Sequence, residues 1–150
     1  MIKKISFIFV LALLLSSFFV KPVEARAIPV RVPADLEWVD TGIDVVAGDS
    51  LKAKGRAITG PLSEYPGAIS GPGGQITICY DDTIDDVDYY CVLEGVPFGA
   101  LIGKIGGGGA FLIGDASSFT AGATGRLFLA VNDFKGTYYD NQAGFTVIFK

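Results

Sequence analysis

Frequent glycine and proline constrain the fold of this chain more than any other feature, because they interrupt every long apolar run after residue 27. The 150 residues include 20 Gly and 7 Pro, which leaves little room for a long stripe of helical period. Apolar and polar residues alternate instead over residues 50–58, 126–131 and 144–150, as in half-buried strands. We therefore expect an all-β domain of about seven or eight strands, arranged as an antiparallel, jelly-roll type of β-sandwich.

The N-terminus has the layout of an export signal. Lys3 and Lys4 precede an apolar run over residues 5–20, and the small-residue pattern Ala25-Arg26-Ala27 follows. This order predicts a cleavable secretory signal over residues 1–27 and one domain over residues 28–150, in a secreted or periplasmic protein. The alternative is a membrane anchor, although the run is slightly short for a span. Because no second long apolar run exists, we expect no membrane span after cleavage.

Two cysteines, Cys79 and Cys91, enclose a strongly acidic segment. In an oxidising compartment they predict one disulfide, with a pair of free thiols as the alternative. The segment between them contains the five carboxylates of Asp81, Asp82, Asp85, Asp86 and Asp88. A solvated acidic hairpin tip is the favoured interpretation of residues 81–88, and a cation site is the alternative.

Composition excludes several classes of function. The chain contains no His, so Ser-His-Asp, Cys-His and His-metal sites are all ruled out. Its net charge of −4 does not suit a nucleic-acid backbone. No nucleophile motif or selected pair of carboxylates indicates an active site. We therefore expect a protein that is not an enzyme; an exported glycan hydrolase is the alternative of that class.

One loop, residues 132–141, carries chemistry of its own. It follows one predicted strand and precedes the last one, and it contains Asp133, Asp140 and Asn141. Calcium takes six to eight oxygen ligands from carboxylates, amides and backbone carbonyls, and Gly136 lets the backbone turn a carbonyl inward. The residues alone leave two interpretations open, a calcium site or an ordinary polar loop with Asx turns.

The same loop carries a resemblance to a known family. The matching segments are Val131-Asn132-Asp133, Gly136-Thr137-Tyr138, Asp140-Asn141 and Gly144-Phe145-Thr146-Val147, with residues 99–106, 48–49 and 57–61 upstream. With these motifs, the chain resembles the bacterial calcium-dependent galactose-binding lectins (the PA-I-like galactophilic lectins). The likeness covers nearly all of residues 28–150 and is strongest in the last 25 or so. It implies a galactose-binding-like β-sandwich.

The resemblance also implies a ligand set. By position, Asp133, Asp140 and Asn141 would bind Ca²⁺ through their side chains, and Thr137 and Thr59 through their backbone carbonyls. Two neighbouring hydroxyls of a carbohydrate would complete the coordination, with Asp133, Thr137 and Asp140 contacting the sugar. Asp140 stands where the family has Asn, which makes this site more acidic.

The sequence does not identify the sugar. Galactose-binding members hold it with a His and a Gln from a middle loop, whereas this chain has no His and its Cys79–Cys91 segment lies in or near that place. A calcium-stabilised structural or protein-interaction module without sugar affinity is therefore the alternative function. Single ion-centred sites bind sugars weakly, so a homo-oligomer would help through avidity.

Overall fold

The computed structural model describes residues 26–58, 73, 78–84, 87–115 and 118–150. The predicted signal up to residue 25, Thr59 and nearly all of the glycine- and proline-rich stretch 60–74 lie outside these residues. No helix in the described part of the chain is long and apolar enough to cross a membrane.

The regular secondary structure of the described residues is almost entirely β-strand, as predicted. The strands are β1 (Ile28–Pro33), β2 (Val39–Val45), β3 (Ser50–Leu51), β4 (Ala53–Ile58), β5 (Ile78–Cys79), β6 (Asp82–Ile84), β7 (Val87–Tyr89), β8 (Val96–Pro97), β9 (Leu101–Ile105), β10 (Phe111–Leu112), β11 (Phe119–Thr120), β12 (Gly125–Val131) and β13 (Gly144–Phe149). A single 3-10 turn covers Tyr138–Asp140. The described strands outnumber the seven or eight expected, because segments of two or three residues are too short to show an alternating pattern.

Two antiparallel sheets form the β-sandwich. One has the strand order β1-β13-β4 and the other β10-β9-β12-β2, and three short two-stranded ladders flank them. Alternate residues of β13 and β12 point between the sheets, and the side chains of Phe145, Val147, Leu127 and Leu129 are fully buried there. This hydrophobic core stabilises the fold through burial, at roughly 25 cal/mol for each Å² of apolar surface removed from water.

The two long central strands belong to opposite sheets, and this places the loop of interest. β12 ends at Val131 in one sheet, while β13 begins at Gly144 in the other. The connecting residues therefore cross from sheet to sheet at one end of the sandwich. β4 also ends there, because Ile58 is paired with Gly144.

Gly144 is required where the chain re-enters the sheet. Its φ of 140° lies in a region that L side chains rarely adopt, and a Cβ at this position would overlap the carbonyl oxygen of Val32 in β1. Only glycine lets β13 approach β1 this closely. The start of β13, and with it the end of the loop, is thereby fixed.

Within the described residues, the acidic segment forms an antiparallel hairpin, as predicted; Asp85 and Asp86 of the predicted tip lie outside these residues. β6 and β7 pair antiparallel, and the side chains of Asp81, Asp82 and Asp88 are exposed. The predicted disulfide between Cys79 and Cys91 is present, with both cysteines buried. It closes the base of the hairpin, which we call the acidic hairpin (residues 79–91).

Candidate functional site

The candidate site is the sheet-crossing loop, residues 132–143, and it begins with a buried clamp. Asn132 is fully buried. Its Oδ1 accepts a hydrogen bond from the Leu93 N–H at 3.0 Å, and its Nδ2 donates to the carbonyls of Leu93, Val96 and Pro97 at 3.0, 3.2 and 3.3 Å. The amide thus ties the start of the loop to the 93–97 segment. In the sequence, Asn132 belongs to the matching segment Val131-Asn132-Asp133 but has no predicted role of its own. The local signal is a polar residue directly after an apolar strand.

Asp133 is the most constrained carboxylate of the site. Its Oδ1 accepts a hydrogen bond from the Phe134 N–H at 2.7 Å, and its Oδ2 accepts one from Asn141 Nδ2 at 2.7 Å. Burial raises the pKa of Asp133, and the negative charge of nearby Asp140 adds to this effect. Among the described residues, no Lys or Arg forms an ion pair with it. The carboxylate is therefore partly desolvated and lacks a positive partner.

The second half of the loop is a tight turn anchored by two buried residues. Tyr138 donates a hydrogen bond from its hydroxyl to the carbonyl of Val131 at 3.3 Å, and burial raises its pKa, so the phenol is neutral. Asn141 Nδ2 also reaches the carbonyl of Ala34 at 3.2 Å, at the end of β1. Gly136 makes the approach to this turn possible with a φ of 85°.

The turn also presents oxygen atoms, at Thr137 and Asp140. The Thr137 hydroxyl donates to the Phe134 carbonyl at 3.0 Å, and the Thr137 carbonyl accepts a hydrogen bond from the Asp140 N–H at 3.3 Å. Each carbonyl oxygen has two lone pairs, so a second acceptor direction stays available on Thr137. The Asp140 side chain is exposed.

The acidic hairpin packs against this loop. The sequence alone did not predict this contact. Cys91 and Phe134 form an antiparallel bridge. The Phe134 ring lies between Tyr89 and Phe98, with ring centroids 5.3 and 5.0 Å away. The hairpin base and the loop therefore form one packed unit, although about 40 residues separate them in the chain.

Four of the five residues predicted to bind the cation can be placed. Asp133 and Asn141 are in direct contact, Asp140 is close enough to affect the Asp133 pKa, and Thr137 is bonded to Asp140. Thr59 lies outside the described residues. No group of three or more His, Cys, Asp or Glu suited to a metal occurs in the described part of the chain. Among the described residues, the candidate donors are two carboxylates, one amide and the backbone carbonyl of Thr137, which are hard oxygen groups of the kind that Ca²⁺ prefers.

Comparisons with known proteins bear on the fold. No protein-family model matches the chain, and no curated protein sequence matches it. Among solved structures, the chain is similar to one described as "EclA N-terminal domain; PllA-like lectin", at 22% sequence identity and a TM-score of 0.56. The match covers 81% of this chain and 92% of that one. The chain therefore shares the β-sandwich architecture of that domain. At this identity the likeness extends to the architecture alone.

Proposed function

We propose that this chain is an exported, calcium-dependent carbohydrate-binding protein whose site is the 132–141 loop. The observation that carries the proposal is the environment of Asp133. A half-buried carboxylate next to Asp140, with no cationic side chain paired to it among the described residues, is costly in a folded protein. A bound divalent cation would offset that cost. The similarity of the β-sandwich to a solved lectin domain adds support.

In this proposal Asp133, Asp140 and Asn141 hold Ca²⁺ with side-chain oxygens, and Thr137 and Thr59 with backbone carbonyls. When bound, the ion supplies a Lewis acid that orients two neighbouring sugar hydroxyls. The carboxylates of Asp133 and Asp140 accept hydrogen bonds from those hydroxyls, and Thr137 contacts the same sugar. Such hydrogen bonds require hydroxyls of fixed relative orientation, so the site discriminates among sugars.

The proposed role is binding and not catalysis. The proposal includes cleavage of the signal after Ala27, release into the periplasm or medium, and assembly into a homo-oligomer that raises avidity. Light scattering of the exported protein checks the oligomer, and N-terminal sequencing checks the cleavage.

A glycan array, run in calcium and again in EDTA, tests the proposed function. Binding to a defined group of glycans that vanishes in EDTA is the expected result. A silent array combined with a melting temperature that rises in calcium would overturn sugar binding. That result would favour the second candidate function, a calcium-stabilised module without sugar affinity. The absence of His from the chain is the observation that favours this candidate.

Matched variants test the ligand assignment by calorimetry. Asp133→Ala should abolish calcium binding, because alanine has no oxygen that could take the place of the charged ligand. Asp140→Asn should retain calcium at reduced affinity, since an amide oxygen still serves as a ligand. Asp115→Asn removes an exposed carboxylate outside the loop and should leave affinity unchanged. Wild-type calcium affinity in Asp133→Ala would contradict the assigned site.

A further inference from the structure

Tyr90 is an exposed aromatic side chain beside the candidate site, and the core does not use it. About half of its surface, 51%, is exposed. Its neighbour Tyr89 points the other way and packs on Phe134. Exposed aromatic rings on a rigid segment are typical of ligand-contact surfaces, because they offer a large apolar face at low entropic cost.

The pairing between the acidic hairpin and the loop fixes which way Tyr90 faces. The Lys135 N–H donates to the Tyr90 carbonyl at 2.8 Å, and the Val92 N–H donates to the Asp133 carbonyl at 3.0 Å. These two bonds flank the Cys91 bridge, so Tyr90 lies opposite Lys135 and Val92 lies opposite Asp133.

Side chains of neighbouring positions alternate between the two faces of such a pair. Tyr89, Cys91 and Phe134 share the inner face, as the contact between the Tyr89 and Phe134 rings shows. Tyr90 therefore shares the outer face with Asp133. The two are diagonal neighbours, whose Cα atoms lie about 7–8 Å apart, a separation that an aromatic side chain spans.

Several contacts hold this region of the hairpin in place. The Cys79–Cys91 disulfide closes the segment directly after Tyr90, and the Cys91 N–H donates to Asp81 Oδ1 at 2.9 Å. The Tyr90 hydroxyl lies 3.4 Å from Asp88 Oδ2, a long hydrogen bond on the same face. A ring held in this way loses little freedom on binding a ligand.

We propose that Tyr90 is a sugar-contacting residue, whose ring packs on the apolar C–H face of the sugar ring bound at Asp133. This inference rests on the proposed function and deepens it. The ligand class is a pyranose that presents hydroxyls to the loop on one side and a continuous row of C–H groups to Tyr90 on another. The acidic hairpin thus provides a second wall of the site.

NMR titration with the methyl glycosides of galactose, mannose and fucose, in calcium, tests this role. A sugar packed on Tyr90 should show upfield ring-current shifts of its C–H protons. Tyr90→Leu should remove those shifts and weaken binding about 3- to 10-fold. Tyr90→Phe should keep both within about twofold, and calcium affinity measured without sugar should be unchanged in either variant. Tyr80→Leu is the matched control, since Tyr80 is a second exposed tyrosine of the same hairpin base, with 60% of its surface exposed.

The outcomes separate this inference from the proposed function. Sugar binding that depends on calcium but is unchanged in Tyr90→Leu would overturn the role of Tyr90 and leave the lectin function standing. Equal weakening in Tyr80→Leu would also overturn it, since the effect would then belong to the hairpin as a whole. If none of the three sugars binds the wild-type protein, both proposals fail for these ligands.

Discussion

The buried amide of Asn132 gives a quantitative prediction. Its Oδ1 accepts one hydrogen bond and its Nδ2 faces three carbonyls, but an NH₂ group has only two hydrogens, so at most about three bonds count fully. Each contributes about 1 kcal/mol net. We therefore expect Asn132→Ala to lower the free energy of unfolding by about 3 kcal/mol, because the side chain is fully buried. For a domain of this size, that loss corresponds to a fall in Tm of about 10 °C.

Asn132→Asp sharpens the prediction. The carboxylate keeps one acceptor oxygen, but it places its second, negatively charged oxygen against the carbonyls to which Nδ2 donates in the wild-type protein. Its pKa should be raised, because both burial and those carbonyls disfavour the charge. The variant should therefore be less stable than Asn132→Ala at pH 7, and the deficit should shrink as the pH falls and the carboxyl protonates.

Urea unfolding of the protein, followed by circular dichroism, measures the stability of both variants. Gln142→Ala is the matched control, because it removes an exposed amide from the same loop and should change stability by no more than about 0.5 kcal/mol. A loss below about 1 kcal/mol in Asn132→Ala would refute the idea that this amide clamps the loop to the 93–97 segment.

Three further predictions concern the site and its supports. Because burial raises the pKa of Asp133, the folded calcium-free protein binds the Asp133 proton more tightly than the unfolded chain does. The contribution of Asp133 to stability should therefore fall as the pH rises from the ordinary carboxyl pKa of 3.8 through the raised value. Urea unfolding of Asp133→Asn over the same pH range should lack this pH dependence. Gly144→Ala should cost about 3 kcal/mol or more, whereas Gly48→Ala, which has open space, should cost clearly less; equal melting temperatures would contradict this. Replacing Cys79 and Cys91 with Ser should cost about 3 kcal/mol in denaturant midpoint experiments, and an unchanged midpoint would show that the crosslink does not constrain the unfolded chain.

Local pattern was sufficient to predict two of the long strands, β12 and β13. In β12, the alternation of Leu127, Leu129 and Val131 places every second side chain in the core, and β13 follows the same rule. The disulfide was predicted because the chain has two cysteines and a predicted export signal. These features depend on residues close in sequence or on simple counting, so the sequence alone was enough.

The arrangement around the loop depends on contacts between distant segments. The amide of Asn132 meets partners up to 39 residues away, and no periodicity in the chain reports such a contact. The pairing of Cys91 with Phe134 is equally remote. The candidate ligands Asp133, Asp140 and Asn141 lie within ten residues of one another, so the sequence alone could suggest them as a set. The contacts of Asn132 and the position of Tyr90 depend on the packing of the acidic hairpin against the loop.

The loop combines a cost with the contacts that offset it. Placing the Asp133 carboxylate in a partly buried position near Asp140 disfavours folding without a cation. The buried side chains of Asn132, Tyr138 and Asn141 hold the loop in that conformation through hydrogen bonds to the backbone of neighbouring segments. Because these hydrogen bonds order the loop when the protein folds, a cation would bind to oxygens that are already positioned. Less of its binding free energy would then be lost to ordering the chain. In a loop with a purely structural role, the charge of Asp133 would only destabilise the fold. Asp133→Asn should therefore be more stable than the wild type without calcium, and the difference in unfolding free energy measures the cost of the charge.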